Sequence, residues 1–160
     1  MFDLKAWFAG FRGAAEPATS YERGAQALRR GRWVEALVAF DLALGTASSD
    51  AERAAACNKR GVALMGLERR GEALEAFCAA LEVDERHAAA LVNLGNLLLE
   101  DGCVYDAIDY YEAALRSDEK YAPAYQNLGV AYKRLGRPGA AVRHLRKAVR
   151  LETSRSPERA

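Results

Sequence analysis

Apolar and polar positions follow a helical period through residues 88–121, where the pattern is clearest. Leucines recur three and four positions apart in the first half, with small residues between them. A polar turn at Asp101 and Gly102 interrupts the pattern, and apolar positions then resume at the same spacing. The stretch therefore predicts two amphipathic helices joined by a tight turn. One such pair cannot bury its apolar face alone, so similar neighbours must pack against it.

The same arrangement recurs four times when the chain is aligned on four glycines. These glycines are 37, 34 and 34 residues apart: Gly24, Gly61, Gly95 and Gly129. Twelve positions after each glycine comes an alanine, four further a bulky apolar residue, and three further another alanine. The bulky residues are Phe40, Phe77, Tyr111 and Leu145. Agreement across four columns and four copies predicts an array of helical repeats.

The array takes up most of the chain. It is predicted to span 17–152, with repeats near 17–50, 54–87, 88–121 and 122–153, an amphipathic extension at 1–16 and a polar tail at 153–160. The predicted helices are 18–30, 33–45, 52–67, 70–83, 88–100, 104–117, 122–135 and 138–151. In the extension, four apolar residues at helical spacing predict a further short helix: Leu4, Trp7, Phe8 and Phe11.

The pattern resembles the tetratricopeptide repeat, because the period is 34 and small residues stand at positions 8, 20 and 27 with a bulky residue at 24. The third and fourth copies carry it best, as Leu91/Leu94/Gly95/Leu98 and Tyr125/Leu128/Gly129/Tyr132. The first two copies depart from it, since Arg23 and Arg60 stand where the family usually has leucine. The resemblance implies an all-α fold: a right-handed α-solenoid of about four helix-turn-helix repeats with an N-terminal helical extension.

Composition narrows the setting. The chain has 160 residues, 28% of them charged, and a formal net charge of +1, which argues against a protein dominated by attraction to nucleic acid. No apolar run approaches the roughly 20 residues that a membrane-spanning helix needs. Charges within the apolar stretch at the N-terminus make it a poor secretory signal. Three cysteines without CxxC spacing, Cys57, Cys78 and Cys103, favour reduced thiols and a cytoplasmic location.

No catalytic or metal-binding motif stands out. His87 and His144 lack cysteines or carboxylates at metal-ligand spacing, and the chain has no phosphate loop or dinucleotide fingerprint. Nothing in the sequence activates a cysteine, and free cysteines commonly pack as small apolar residues. The sequence therefore predicts a protein that is not an enzyme, with no cofactor, metal or small-molecule substrate.

The resemblance implies a concave face lined by the first helix of each repeat. Its groove positions correspond here to Asn58, Lys59, Asn93, Asn96, Gln126, Asn127, Lys133 and Arg134. Asn93 and Asn127 hold the same position in consecutive repeats, and an amide can pair with both the C=O and the N–H of an extended peptide. The alternative interpretation is that both asparagines are simply solvated.

Charge is segregated along the array. Residues 88–121 carry seven acids against two bases, whereas 122–151 carry seven bases and no acid. The first interpretation is a solvated surface with some pairing between repeats. The second is a basic end that binds an acidic protein. Nucleic acid is the least favoured partner, because the basic stretch lacks interleaved aromatics and a known binding motif.

Three roles are open for the aromatic extension. It packs on the first repeat as a cap, it inserts into a groove of its own or another molecule, or it lies at a membrane surface. The prediction for the whole chain is a non-catalytic adaptor that holds an extended or helical segment of a protein partner in its concave groove. The alternative is an assembly module that self-associates through the aromatic extension and an open C-terminal end.

Overall fold

The structure, a computed structural model, describes residues 19–155, and this range contains eight α-helices and no strand. The helices are α1 (Ser20–Arg29), α2 (Trp33–Thr46), α3 (Asp50–Gly66), α4 (Arg70–Val83), α5 (Ala88–Glu100), α6 (Val104–Ser117), α7 (Ala122–Arg134) and α8 (Pro138–Arg155). The predicted all-α fold is confirmed. The predicted extension at 1–16, with Leu4, Trp7, Phe8 and Phe11, lies outside the described residues, as do the last residues of the predicted tail.

Capping side chains account for two helix starts that differ from the predicted ones. Thr19 accepts a hydrogen bond from the Glu22 backbone N–H at 3.1 Å, and the Glu22 carboxylate accepts one from the Thr19 N–H at 2.7 Å. This reciprocal capping box starts α1 at Ser20. Ser49 caps α3 through the Glu52 N–H at 3.2 Å, so α3 begins two residues earlier than predicted.

The last helix is longer than predicted. We expected a break after residue 151, but α8 continues to Arg155. After Pro138 and Gly139 in its first turn, the sequence has no further proline or glycine until Pro157. A proline disfavours the helical conformation at the residue before it. The hydroxyls of Thr153 and Ser154 bond back to carbonyls one turn earlier, at 3.0 Å each.

Each repeat is an antiparallel helix pair held together by a glycine that faces a large ring or leucine. A Cβ on Gly95 would lie 2.5 Å from Tyr111 Cε1, and one on Gly61 would lie 2.5 Å from Phe77 Cε1. Gly24 faces Phe40, and Gly129 faces Leu145, in the same way. The missing side chain therefore lets the two helices approach until the bulky residue of the second touches the backbone of the first.

The turn inside each repeat requires a left-handed backbone conformation at one position. Glycine supplies it in three repeats, with φ of 67° at Gly31, 83° at Gly102 and 68° at Gly136. The second repeat places Glu68 there, with φ of 60°. Because a left-handed side-chain-bearing residue costs about 1–2 kcal/mol, this turn is the strained one of the four.

Adjacent repeats share one continuous core. Leu94 and Leu97 of α5 pack against Leu64 and Phe77 of the preceding repeat, and Tyr111, Leu128 and Ala131 join the third repeat to the fourth. Arg60, at a position where leucine was expected, instead reaches out to Asp41 of α2, with Nε 2.7 Å from Oδ1. Within residues 19–155 no helix combines the length and apolarity needed to cross a bilayer.

Candidate functional site

The first helices of the repeats lie on one side of the array. Besides its partner within the repeat, α5 contacts α7, and α1 contacts α3. The second helices of the repeats, α2, α4, α6 and α8, make no comparable contact with one another within residues 19–155. The side formed by α1, α3, α5 and α7 is therefore the inner side of the bend, and we call it the first-helix face. All eight predicted groove residues lie on these helices.

The predicted asparagines form pairs between repeats. Asn93 Nδ2 donates to Asn58 Oδ1 at 2.8 Å, which ties α5 to α3. Asn58 was expected to line the groove surface, yet it is only 3% exposed. Its contribution to the surface is therefore indirect, because it fixes the orientation of the Asn93 amide.

Asn96 is the centre of a second pair. Its Oδ1 accepts from Asn127 Nδ2 at 2.8 Å and from the Tyr111 hydroxyl at 2.9 Å. Tyr111 is fully buried, and this burial raises the pKa of its phenol to about 12. The Asn96 amide thus satisfies a core hydroxyl and also links α5 to α7.

These pairings leave defined hydrogen-bonding groups on the first-helix face. Within residues 19–155, the side-chain oxygens of Asn93 and Asn127 accept no hydrogen bond, and Asn96 Nδ2 donates none. Two acceptors and one donor, held by pairs that fix their orientation, match the N–H and C=O groups of an extended peptide. The asparagines are therefore partly engaged in the structure rather than simply solvated.

A small pocket lies beside these groups. It has a volume of about 180 Å³ between α3 and α5, and Val62 and Met65 provide apolar surface while Asn93, Asn96 and Glu100 provide polar atoms. The charge of Glu100 is countered by Arg70, whose Nη1 lies 2.5 Å from Oε2. Arg70 also pairs with Asp101 at 2.8 Å, so two acids of the third repeat are already matched by a base of the second.

The basic residues occupy the α7 side of the face. Arg134 donates to the Leu99 carbonyl, while Lys133 is exposed and makes no ion pair among the described residues. Gln126 donates to Glu152 at 2.5 Å, so it is already engaged with α8. Lys59, on α3, is half-buried. Lys133 and Arg134, both exposed at the C-terminal end of α7, therefore carry positive charge that no carboxylate within residues 19–155 pairs.

An aromatic stack fixes α8 against α7. The His144 ring lies between Tyr125 and Tyr132, with ring centroids 6.1 Å and 5.2 Å away. Burial, followed by the nearby charge of Arg143, lowers the pKa of His144. Lys147 Nζ lies 5.8 Å from the centroid of the Tyr125 ring. This stack was not predicted, since the three rings are separated by seven and twelve positions along the chain.

Residues 19–155 contain no group of three or more histidine, cysteine or carboxylate side chains that could hold a metal ion. The pKa of the Cys57 thiol is raised by burial, which disfavours the reactive thiolate. Cys78 and Cys103 are exposed free thiols. The arrangement described so far suits binding through amides, apolar contacts and the exposed bases at the end of α7.

Comparison with known proteins identifies the repeats. Models of the tetratricopeptide repeat match residues 54–87 and 86–153. No curated protein matches the sequence. Among solved structures, pilF of Pseudomonas aeruginosa is similar over 84% of this chain and 60% of its own, with 27% identity and a TM-score of 0.72.

Two further structures have the same fold. MamA is 23% identical over 94% of this chain and 85% of its own, with a TM-score of 0.65. YrrB, described as a repeat protein with an unusual peptide-binding site, is 24% identical over 85% of this chain and 69% of its own, with a TM-score of 0.61. At these identities the similarity establishes the fold alone.

Proposed function

Because the chain belongs to the tetratricopeptide repeat family, whose members are protein–protein interaction scaffolds, we propose that its first-helix face binds an extended segment of a partner protein. The observation that carries the proposal is the set of oriented amide groups on consecutive repeats. Asn93 and Asn127 each offer a free acceptor, and Asn96 offers a donor between them. The backbone N–H and C=O groups of an extended peptide could pair with all three of these hydrogen-bonding groups, whatever the side chains of the peptide.

Side-chain preference comes from the neighbouring surface. Val62 and Met65 line the pocket next to the asparagines, and this pocket suits one small apolar side chain of the ligand. Lys133 lies on the other side of Asn127, in a stretch from 122 to 151 that carries bases and no acid. We therefore propose an extended ligand with an apolar residue toward α3 and acidic residues toward α7. The proposed role is non-catalytic.

The experiment compares capture of partners by the full chain and by surface variants. Replacing Asn93 and Asn127 would also break their bonds between repeats, so variants at less integrated positions separate binding from folding better. Val130 on α7 is 43% exposed, and Leu74 on α4, outside the face, is 46% exposed. Val130→Glu and Lys133→Glu should each weaken binding about tenfold or more, which corresponds to 1.4 kcal/mol, while Leu74→Glu leaves it unchanged.

Binding is measured on partners captured from a native lysate, first by quantitative mass spectrometry and then with the purified partner by calorimetry. A partner that binds the Val130 and Lys133 variants as tightly as the parent contradicts the groove assignment. A partner lost after nuclease treatment would instead indicate nucleic acid.

One observation favours the assembly alternative. At the end of the array, Val142, Leu145 and Val149 of α8 line a shallow groove of about 400 Å³. The residues corresponding to Leu145 in the first three repeats are buried, because the next repeat covers them. A second copy could cover the α8 groove in the same way. Light scattering of the full chain decides between the two, since a monomer at all concentrations excludes assembly.

A further inference from the structure

The second helix of the first repeat carries an apolar stripe that the other second helices lack. Val34, Val38 and Leu42 stand four residues apart on α2 and are 64%, 55% and 55% exposed. The corresponding positions are Gly71, Glu75 and Ala79 in α4, Tyr105, Asp109 and Ala113 in α6, and Gly139, Arg143 and Lys147 in α8. Apart from Tyr105, the other three repeats have small or charged residues at these positions, so the repeat itself does not require the stripe. A contact specific to the first repeat accounts for it better.

The stripe lines a surface groove of about 770 Å³, the α2 groove. Trp33, Val34, Val38, Ala39 and Leu42 form its apolar wall, and Arg23 of α1 stands at its edge. Arg23 is one of the two arginines at positions where the family usually has leucine. Large side chains from another segment could fill a groove of this size and lining.

The chain preceding α1 starts near the C-terminal end of α2, in a pocket separate from the α2 groove. Thr19 and Thr46 line one pocket, so the residue before α1 lies beside the C-terminal end of α2. Leu42 is one helical turn from Thr46. A segment that continues from Thr19 toward the N-terminus therefore starts near the C-terminal end of α2, at the Leu42 end of the apolar stripe.

We propose that residues 1–18 of the same chain cover the α2 groove through Leu4, Trp7, Phe8 and Phe11. The helix predicted for these four residues advances about 10 Å from the first to the last, and the stripe from Val34 to Leu42 advances about 12 Å. Residues 12–18 connect the two and can extend over roughly 20 Å, which suffices to place Phe11 beside Leu42. The covering segment then runs parallel to α2.

The connection itself favours the chain's own segment over a second molecule. A short flexible tether gives its attached group an effective concentration in the millimolar range. A second copy must compete with that value at its own, lower concentration. This inference is independent of the peptide-binding role proposed for the first-helix face. Residues 1–18 that cover the α2 groove would not be available for self-association.

Limited trypsin digestion of the full chain tests the proposal, because Lys5 and Arg12 lie in the segment. The reference for no protection is the free peptide of residues 1–18. In the parent chain, cleavage at Lys5, which lies between Leu4 and Trp7, should be slower than in the peptide by tenfold or more, on the order expected for a locally ordered segment. Val38→Asp should restore cleavage to nearly the peptide rate.

Two features of the repeat keep this test interpretable. Asp109 occupies the position of Val38 in the third repeat, so Val38→Asp introduces a residue that the fold accommodates there. Tyr105→Asp is the matched control, since Tyr105 occupies the position of Val34 and the two are 65% and 64% exposed. The control should leave cleavage at Lys5 as slow as in the parent chain.

Three results would overturn the proposal. Cleavage at Lys5 as fast as in the free peptide means that the segment is not covering the groove. Protection that survives Val38→Asp, or that Tyr105→Asp removes equally, places the segment elsewhere. Protection that increases with protein concentration, together with a larger mass by light scattering, makes a second copy the occupant.

Discussion

The third and fourth repeats have the same pattern of small and bulky residues, but their equivalent bulky residues differ in exposure. Tyr111 and Leu145 hold the same position and each faces a glycine one helix away, yet Tyr111 is 0% exposed and Leu145 is 40% exposed. Helices on both sides enclose Tyr111, because α7 follows it, whereas the described residues provide no helix beyond α8. The difference shows that a repeat's core belongs partly to its neighbour, so the same residue type stabilises more inside the array than at its end.

The largest expected difference comes from truncating the two bulky residues. Tyr111→Ala should lower the free energy of unfolding by about 3–5 kcal/mol, because it opens a cavity in a closed core and removes the hydroxyl that bonds Asn96. Leu145→Ala should cost roughly 1 kcal/mol, since much of its side chain already contacts water. Urea denaturation followed by circular dichroism measures both. Equal losses would refute the dependence on the neighbouring repeat.

A smaller difference should appear at the facing glycines. A Cβ on Gly95 would lie 2.5 Å from the Tyr111 ring, which cannot move aside, so Gly95→Ala should cost about 1–3 kcal/mol by overpacking. A Cβ on Gly129 would lie 2.6 Å from Leu145 Cγ and 3.3 Å from the Ala141 carbonyl oxygen; the exposed leucine can rotate away, and the backbone contact then requires only a small shift. The roughly 1 kcal/mol gained from higher helix propensity then makes Gly129→Ala nearly neutral.

Thermal and urea denaturation of the two alanine variants provide the check on the glycine prediction. A Gly129→Ala chain destabilised as strongly as the Gly95→Ala chain would mean that Leu145 is held as rigidly as Tyr111.

The smallest expected effect concerns the Tyr111 hydroxyl, which only the third repeat has at this position. Tyr111→Phe should cost about 1 kcal/mol at neutral pH, because one buried hydrogen bond is lost while Asn96 keeps its bond to Asn127. The folded pKa of Tyr111 is about 12, above its usual value of 10.0. The parent therefore keeps this contribution below pH 10 and loses it as the pH rises toward 12.

As the pH rises above 10 the parent should lose its advantage over the Phe variant and then become the less stable of the two, because only the parent has a phenol that ionises more readily when unfolded. Denaturation midpoints at neutral pH and above pH 10 measure the gap between them. A gap that stays constant or widens would contradict the assigned role of burial in raising the pKa of Tyr111.

The repeats were predictable from sequence because small and bulky residues alternate at fixed spacing, and this spacing reflects close helix contact directly. The boundaries of α1 and α3 were less predictable, since Thr19 and Ser49 set them through capping bonds. The length of α8 was missed because a polar tail can continue a helix when no glycine or proline stops it. Arg60 could be recognised as a departure, but its partner Asp41 belongs to another helix and is visible only in the fold.

The candidate site was predictable in position and less so in detail. The resemblance to the tetratricopeptide repeat, applied in register, placed Asn93, Asn96 and Asn127 on the first-helix face. It could not predict that Asn58 is buried or that Asn96 bonds Tyr111, because both depend on contacts between helices 15 to 35 residues apart. Likewise, the apolar stripe of α2 becomes informative only when its exposure is compared with the same positions in the other repeats.

If the first-helix face binds a peptide as proposed, Asn96 would connect that ligand to a residue in the core. One oxygen serves both Asn127 at the surface and the hydroxyl of Tyr111 in the core. A ligand that draws this amide toward itself weakens the bond to Tyr111 and changes the environment of a single buried phenol. Tyrosine absorbance and resonance Raman signals would then report occupancy without any label, from a chromophore that the ligand never touches.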